Sequence, residues 1–105
     1  MNREDALSAA ADCVLRDRNK SYGGPEQSFG ITAELWSIIL RPILKEEAAV
    51  DPAQVALCLD SLKTARLIFN LSHPDSWVDK IGYSACGAEV ATSPPAPEKD
   101  VESAP

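Results

Sequence analysis

The chain has 105 residues, 45% of them hydrophobic, and a formal net charge of −6. This fits one small domain with a modest core. It argues against a duplex nucleic-acid binder, which is as a rule basic, and leaves room for a small anionic ligand held by a local basic cluster. The three cysteines, Cys13, Cys58 and Cys86, are widely spaced in apolar helical contexts. No metal-type spacing is present, so they read as buried structural thiols of a reducing cytosol. The N-terminus lacks the apolar region of a signal peptide, and no apolar run approaches the ~18 residues of a membrane span. The expectation is a soluble intracellular protein.

Residues 3–18 read as a first helix. Asn2 caps it, and Glu4 and Asp5 complement its dipole. Leu7, Ala10, Ala11, Val14 and Leu15 form its apolar stripe. Asn19 to Gly24, N-K-S-Y-G-G, then breaks the pattern, because paired glycines mark a turn or loop. Tyr22 there is placed to stack on a base or ribose, with Arg18 and Lys20 meeting phosphate and Gly23 letting the backbone approach. The alternative is a tyrosine that packs its own loop onto the core.

Pro25 opens a second helix over 25–40. Phe29, Ala33, Trp36 and Leu40 give it an apolar face with Ile39 on the flank. Leu35 and Ile38 broaden that face, which points to cover on two sides or to an oligomer contact. Pro42 ends the helix, and K-E-E connects onward. Asp51-Pro52 is a helix start with its own cap, and the third helix runs to about Phe69. Val55, Leu59, Leu62, Ala65, Arg66 and Phe69 are assigned to one broad face. The helix is apolar nearly all round and reads as the buried centre. Asp60, Lys63 and Arg66 stand out on it, since buried charges need partners. Asn70 to His73 turn the chain, with His73 as a cap. Pro74 starts a fourth helix to about Val90, with Trp77, Val78, Ile81, Ala85 and Ala88 on its apolar surface. Gly82 and Gly87 cost about 1 kcal/mol each inside a helix, which implies that another helix or a ligand comes close there. From Thr92 the Pro-rich composition reads as a disordered tail. The domain is therefore 1–91 and the tail 92–105.

Lys63 and Arg66 neighbour each other on one helix face, and Asp75, Asp79 and Tyr83 on the next. A tight turn brings these cationic and acidic rows to one crevice, which suggests a small polar, phosphate-bearing ligand. The same charges also suit plain interhelical salt bridges, and both tryptophans also suit a core or interface role.

Four segments carry a resemblance: Y-G-x-P-E-x-x-F (Tyr22 to Phe29), L-W (Leu35-Trp36), L-K-x-A-R-L (Leu62 to Leu67) and H-x-D-S-W-V-D-x-x-G-Y (His73 to Tyr83). In order and spacing they resemble a family of small phage-encoded helical domains, over about Arg16 to Glu89. That family is in turn distantly similar to the all-α nucleotide pyrophosphohydrolases of the MazG type. Those are oligomeric helical bundles that bind Mg²⁺ through E-x-x-E and E-x-x-D and release pyrophosphate from nucleoside triphosphates. This chain departs from that pattern. Lys63 stands where the second carboxylate of the third helix would be, and Asp75 and Asp79 are four apart rather than three. Hard cations need many oxygen ligands, so Asp60, Asp75 and Asp79 would hold one Mg²⁺ at best.

The reading is an all-α, MazG-like four-helix bundle that forms a homo-oligomer, a dimer or tetramer, in the cytoplasm of an infected bacterial host. Its expected role is to bind, without cleaving, a nucleotide-derived molecule such as a host-defence signal. The ligand residues are Arg18, Lys20, Tyr22, Gly23, Trp36, Lys63, Arg66, Asp75, Trp77, Asp79 and Tyr83. No cofactor, membrane or duplex nucleic-acid partner is expected. One alternative is a Mg²⁺-dependent nucleotide pyrophosphohydrolase using Asp60, Asp75 and Asp79. The other is a structural oligomer registered by salt bridges.

Overall fold

The computed structural model describes residues 1–17 and 23–93. Arg18, Lys20 and Tyr22, and the tail from Pro94 on, lie outside the described residues. Those described form four α-helices and no strand: α1 (Arg3–Asp12), α2 (Pro25–Ile39), α3 (Pro52–Phe69) and α4 (Pro74–Thr92).

The helix starts follow from local chemistry. At α1 the Asn2 side chain accepts the Asp5 N–H at 2.7 Å, and the Asp5 carboxylate accepts the Asn2 N–H at 3.2 Å. This reciprocal box satisfies two otherwise orphaned donors. Asp51 caps α3 the same way, accepting from Ala53 N–H at 2.8 Å while Gln54 accepts from Asp51 N–H at 2.9 Å. Pro25, Pro52 and Pro74 each open their helix, where a missing N–H costs nothing. The first helix does not continue to residue 18 as an α-helix. Cys13–Asp17 widens into a π-type turn, and Arg16 pairs with Asp12 across it.

Between α2 and α3, a 3-10 turn at Arg41–Ile43 carries Pro42. The Arg41 guanidinium donates to the carbonyls of Glu46 at 3.1 Å and Ala48 at 2.6 Å. Ser37 Oγ accepts the Val50 N–H at 2.8 Å and donates to Ala33 O at 2.7 Å. The connector is thereby fastened to α2 at both ends. α4 ends at Thr92 with Ser93 as its C-cap, one residue beyond the expected domain end.

The centre of the bundle is α4, not α3. Among the described residues α4 packs on α1, α2 and α3, most extensively on α3. Phe29, Ala33, Val55 and Ala56 form the core, with Trp36, Leu59, Tyr83, Cys86 and Val90 against it. The two glycines of α4 mark close approaches, as expected. A Cβ on Gly82 would lie 3.0 Å from Val14 Cγ1, and one on Gly87 would lie 2.9 Å from Ala56 Cβ.

Several assigned faces are turned. On α3, Val55, Ala56 and Leu67 are buried, while Leu62, Ala65, Arg66 and Phe69 are exposed. A helix that is apolar nearly all round has no unique inner face by hydrophobicity. The charges decide, because Asp60 and Lys63 find partners on α4 and must face it. On α4, Val78 is buried as assigned, but Ala85, Ala88 and Trp77 are exposed, and Ser76 and Gly82 are buried instead. Leu7 and Leu15 of the first segment and Ile39 of α2 are exposed. Cys13 and Cys86 are half-buried, but Cys58 is exposed on α3, so it is no buried structural thiol.

Candidate functional site

The α3–α4 hairpin is closed by the polar turn that the sequence suggested. His73 caps α4: its Nδ1 accepts the Ser76 N–H at 3.3 Å and lies 2.9 Å from Ser76 Oγ. Ser76 is fully buried, so this contact gives its hydroxyl the partner it needs. Trp77 Nε1 donates to Leu71 O at 2.7 Å and ties the turn to the helix that follows it.

Above this turn one member of each row meets the other, Lys63 and Asp79, while Arg66 and Asp75 are exposed. Lys63 Nζ lies 2.8 Å from Asp79 Oδ2, with side chains only 13% and 21% exposed. One helical turn away, Lys80 Nζ contacts both Asp60 oxygens at 3.0 and 2.9 Å and Thr64 Oγ1 at 2.6 Å. The two pairs step in opposite directions along the two helices, as an antiparallel hairpin requires. Lys80 was not singled out from the sequence. Its signal was there: a cation beside Asp79, one position along the register that sets Lys63 opposite Asp79.

On the other side of Asp79 is a pocket of about 60 Å³ between the end of α1, the start of α2 and α4. Asp79, Ser28 and Tyr83 are polar residues of its wall, and Phe29, Gly23 and Cys13 are among its other lining residues. Gly23 adopts φ +79° there, a conformation that side chains rarely take, and it directly follows Tyr22 in the chain. The N-cap of α2 is Gly24, which offers no capping side chain; its carbonyl accepts the Gln27 and Ser28 N–H groups at 3.1 and 3.0 Å. The enclosed space is well below the ~300–1,000 Å³ of typical ligand sites. It takes one group of a ligand rather than a whole nucleotide.

The remaining expected site residues are dispersed. Arg66 and Asp75 are exposed and do not line this pocket. Trp36 packs against the core. Trp77 lines a separate open groove of about 910 Å³ on the far side of α4, with Arg3, Asp60, Lys80 and Ile81. Thus Gly23, Asp79 and Tyr83 share a pocket, Lys63 braces it, and Trp36, Arg66, Asp75 and Trp77 stand elsewhere. Phe29, Cys13 and Cys86 belong to the pocket and were read only as core or thiol positions.

The acidic residues do not fit a magnesium site. Asp60 and Asp79 are each committed to a lysine ammonium. Among the described residues, no group of three or more His, Cys, Asp or Glu side chains is placed to hold a metal ion. A hard divalent cation needs six or more oxygens in its shell, and two carboxylates already neutralised by lysine are poor donors to it. No helix of the described residues is long and apolar enough to cross a membrane.

Comparison with known proteins gives two matches. The family model described as "Domain of unknown function (DUF6378)" matches residues 5–91. The Gene 55 protein of Mycobacterium phage D29 is 32% identical over 91 residues, covering 87% of this chain and 56% of that protein. The chain therefore spans little more than half the length of that relative. No solved structure matches.

Proposed function

We propose, from the premise that the chain belongs to the DUF6378 family of phage-type helical domains, that it binds a small nucleotide-type molecule without cleaving it. The observation that carries this reading is Asp79 in the pocket wall with Lys63 Nζ 2.8 Å behind it. The lysine balances the carboxylate charge, and Asp79 presents its oxygens to the pocket as hydrogen-bond acceptors. Such a group selects a donor on the ligand, a base amine or a ribose hydroxyl. Tyr83 and Phe29 beside it supply apolar and aromatic surface. The enclosed volume admits one such group, so the rest of the ligand lies outside it. No cofactor is needed for this. The protein would act as a homo-oligomer in the cytoplasm of an infected bacterium, sequestering a nucleotide signal of the host's defence. The distant similarity to MazG-type bundles belongs to the same proposal.

The two ion pairs favour a second reading, in which these charges serve only to register α3 against α4. One experiment separates the two. Purified protein is incubated with linear and cyclic nucleotides, with Mg²⁺ or with EDTA, and bound material is released by heat and chromatographed. The binding reading expects one nucleotide to be depleted and recovered intact in either condition. It also expects Asp79→Asn to lose that retention while keeping its helical circular dichroism. Retention by no nucleotide, or equal retention by Asp79→Asn, would leave the register role alone. Release of pyrophosphate only with Mg²⁺ would overturn binding without cleavage.

A further inference from the structure

We infer that the outer face of α3 is the contact between two copies of the chain, with the two α3 helices packed antiparallel about a dyad near residue 63. This goes beyond the ligand reading and does not depend on it.

The helix is inverted relative to an ordinary surface helix. Its charges Asp60 and Lys63 face α4, while its outward side carries Leu57, Cys58, Ser61, Leu62, Ala65, Ile68 and Phe69. Leu57, Leu62, Ile68 and Phe69 are 69%, 48%, 73% and 93% exposed. At 100° per residue these seven positions fill one continuous arc of the helix without a charge, and Arg66 falls beyond its edge. Scattered exposed apolar residues need no explanation, but a charge-free face along most of a helix does. The four large side chains leave roughly 500 Å² in water, and Cys58, Ser61 and Ala65 bring the face close to the ~800 Å² per partner of a stable interface.

The pattern also says what covers it. Cys58, Ser61, Ala65 and Ile68 recur at spacings of three, four and three, the seam of two helices packed side by side. The small residues Ser61 and Ala65 lie in the middle, and the large ones, Leu57 with Cys58 and Ile68 with Phe69, lie at the two ends. That arrangement is symmetric about residue 63. Turning a second copy end for end sets Ser61 against the other copy's Ala65 and Leu57, on the same edge of the face, against the other copy's Ile68. A self-complementary patch is what a two-fold interface requires, and the small centre lets the helix backbones approach. An uncharged face of this kind offers a partner of different chemistry nothing polar to recognise.

Sedimentation equilibrium of the whole chain tests this, with no nucleotide present. The wild type is expected to dimerise at micromolar concentration. Ser61→Glu with Ala65→Glu places charges at the seam centre and is expected to weaken dimerisation about 100-fold or more, because buried unpaired charge is costly. Both positions are exposed in one protomer, so helical circular dichroism should persist. Lys45→Glu in the connector is the control and should not change the assembly. Leu57→Lys and Ile68→Glu test the register. Each alone should weaken the dimer, and the double variant should recover it, since the two charges meet only between antiparallel copies. Within one helix these residues are about 16 Å apart and cannot pair. A monomeric wild type, an unaffected Ser61→Glu/Ala65→Glu dimer, or a double variant no better than its parents would overturn the inference.

Discussion

Gly87→Ala gives a sharp test of how closely α3 and α4 approach. On an isolated helix this change is stabilising by roughly 1 kcal/mol, because glycine is a poor helix former. In this protein the added methyl would lie 2.9 Å from Ala56 Cβ. Two methyl carbons need about 3.5–4.0 Å. Neither is the end of a flexible side chain, so the helices themselves must part by up to about 1 Å. Overpacking of a fitted contact costs about 1–3 kcal/mol. Set against the propensity gain, the net expectation is a loss of about 1 kcal/mol, or about 5 °C in Tm for a domain of this size. Ala56→Gly alone also destabilises, since it empties part of the core and adds a glycine to α3. Combined with Gly87→Ala it merely moves the methyl across the contact. The double variant should therefore return to within about 0.5 kcal/mol of wild type, a coupling of about 1–2 kcal/mol. Urea denaturation followed by circular dichroism measures all four corners of the cycle. A Gly87→Ala variant as stable as the wild type or more so, or two strictly additive substitutions, would refute the close approach.

Two further predictions concern the polar parts of the hairpin. Lys63→Met should cost about 1–3 kcal/mol, because it strands the largely buried Asp79 carboxylate; Lys63→Met with Asp79→Leu should recover much of that in the same denaturation assay. His73→Ala should cost about 1 kcal/mol as a lost N-cap, and hydrogen exchange should show the extra opening at the Ser76 amide, which His73 Nδ1 accepts from.

The helix starts were legible in the sequence because their causes are local. Asn2, Asp51 and the three prolines act on backbone groups within one turn of themselves. The close approaches at Gly82 and Gly87 were legible too, since glycine inside a helix has a cost that only a neighbour explains. The rotation of α3 was not legible from its hydrophobicity. Leu57, Leu62, Ile68 and Phe69 are as apolar as Val55, Leu59 and Leu67, so composition could not say which set faces inward. That decision rests on Lys80 meeting Asp60 and Lys63 meeting Asp79, pairings between helices that depend on the hairpin register. The site was legible in part for the same reason. Asp79 and Tyr83 share one helix face and stay together in space. Arg66 and Trp77 are close to them in sequence but face other directions.

The way α1 is attached has a consequence for the order of events in time. The α3–α4 hairpin joins segments close in sequence and is held by two ion pairs, a cap and a tight methyl contact. The first segment reaches α4 from more than sixty positions away, with Val14 against Gly82. Contacts separated by a long stretch of chain close late in folding, and the last unit to dock is also the first to detach. Amide exchange should accordingly be fast through α1 and slow through the hairpin. Because Cys13 and Val14 wall the Asp79 pocket, each excursion of that segment uncovers the pocket while the hairpin remains folded. The frequency of that excursion then sets how often the pocket stands without that wall.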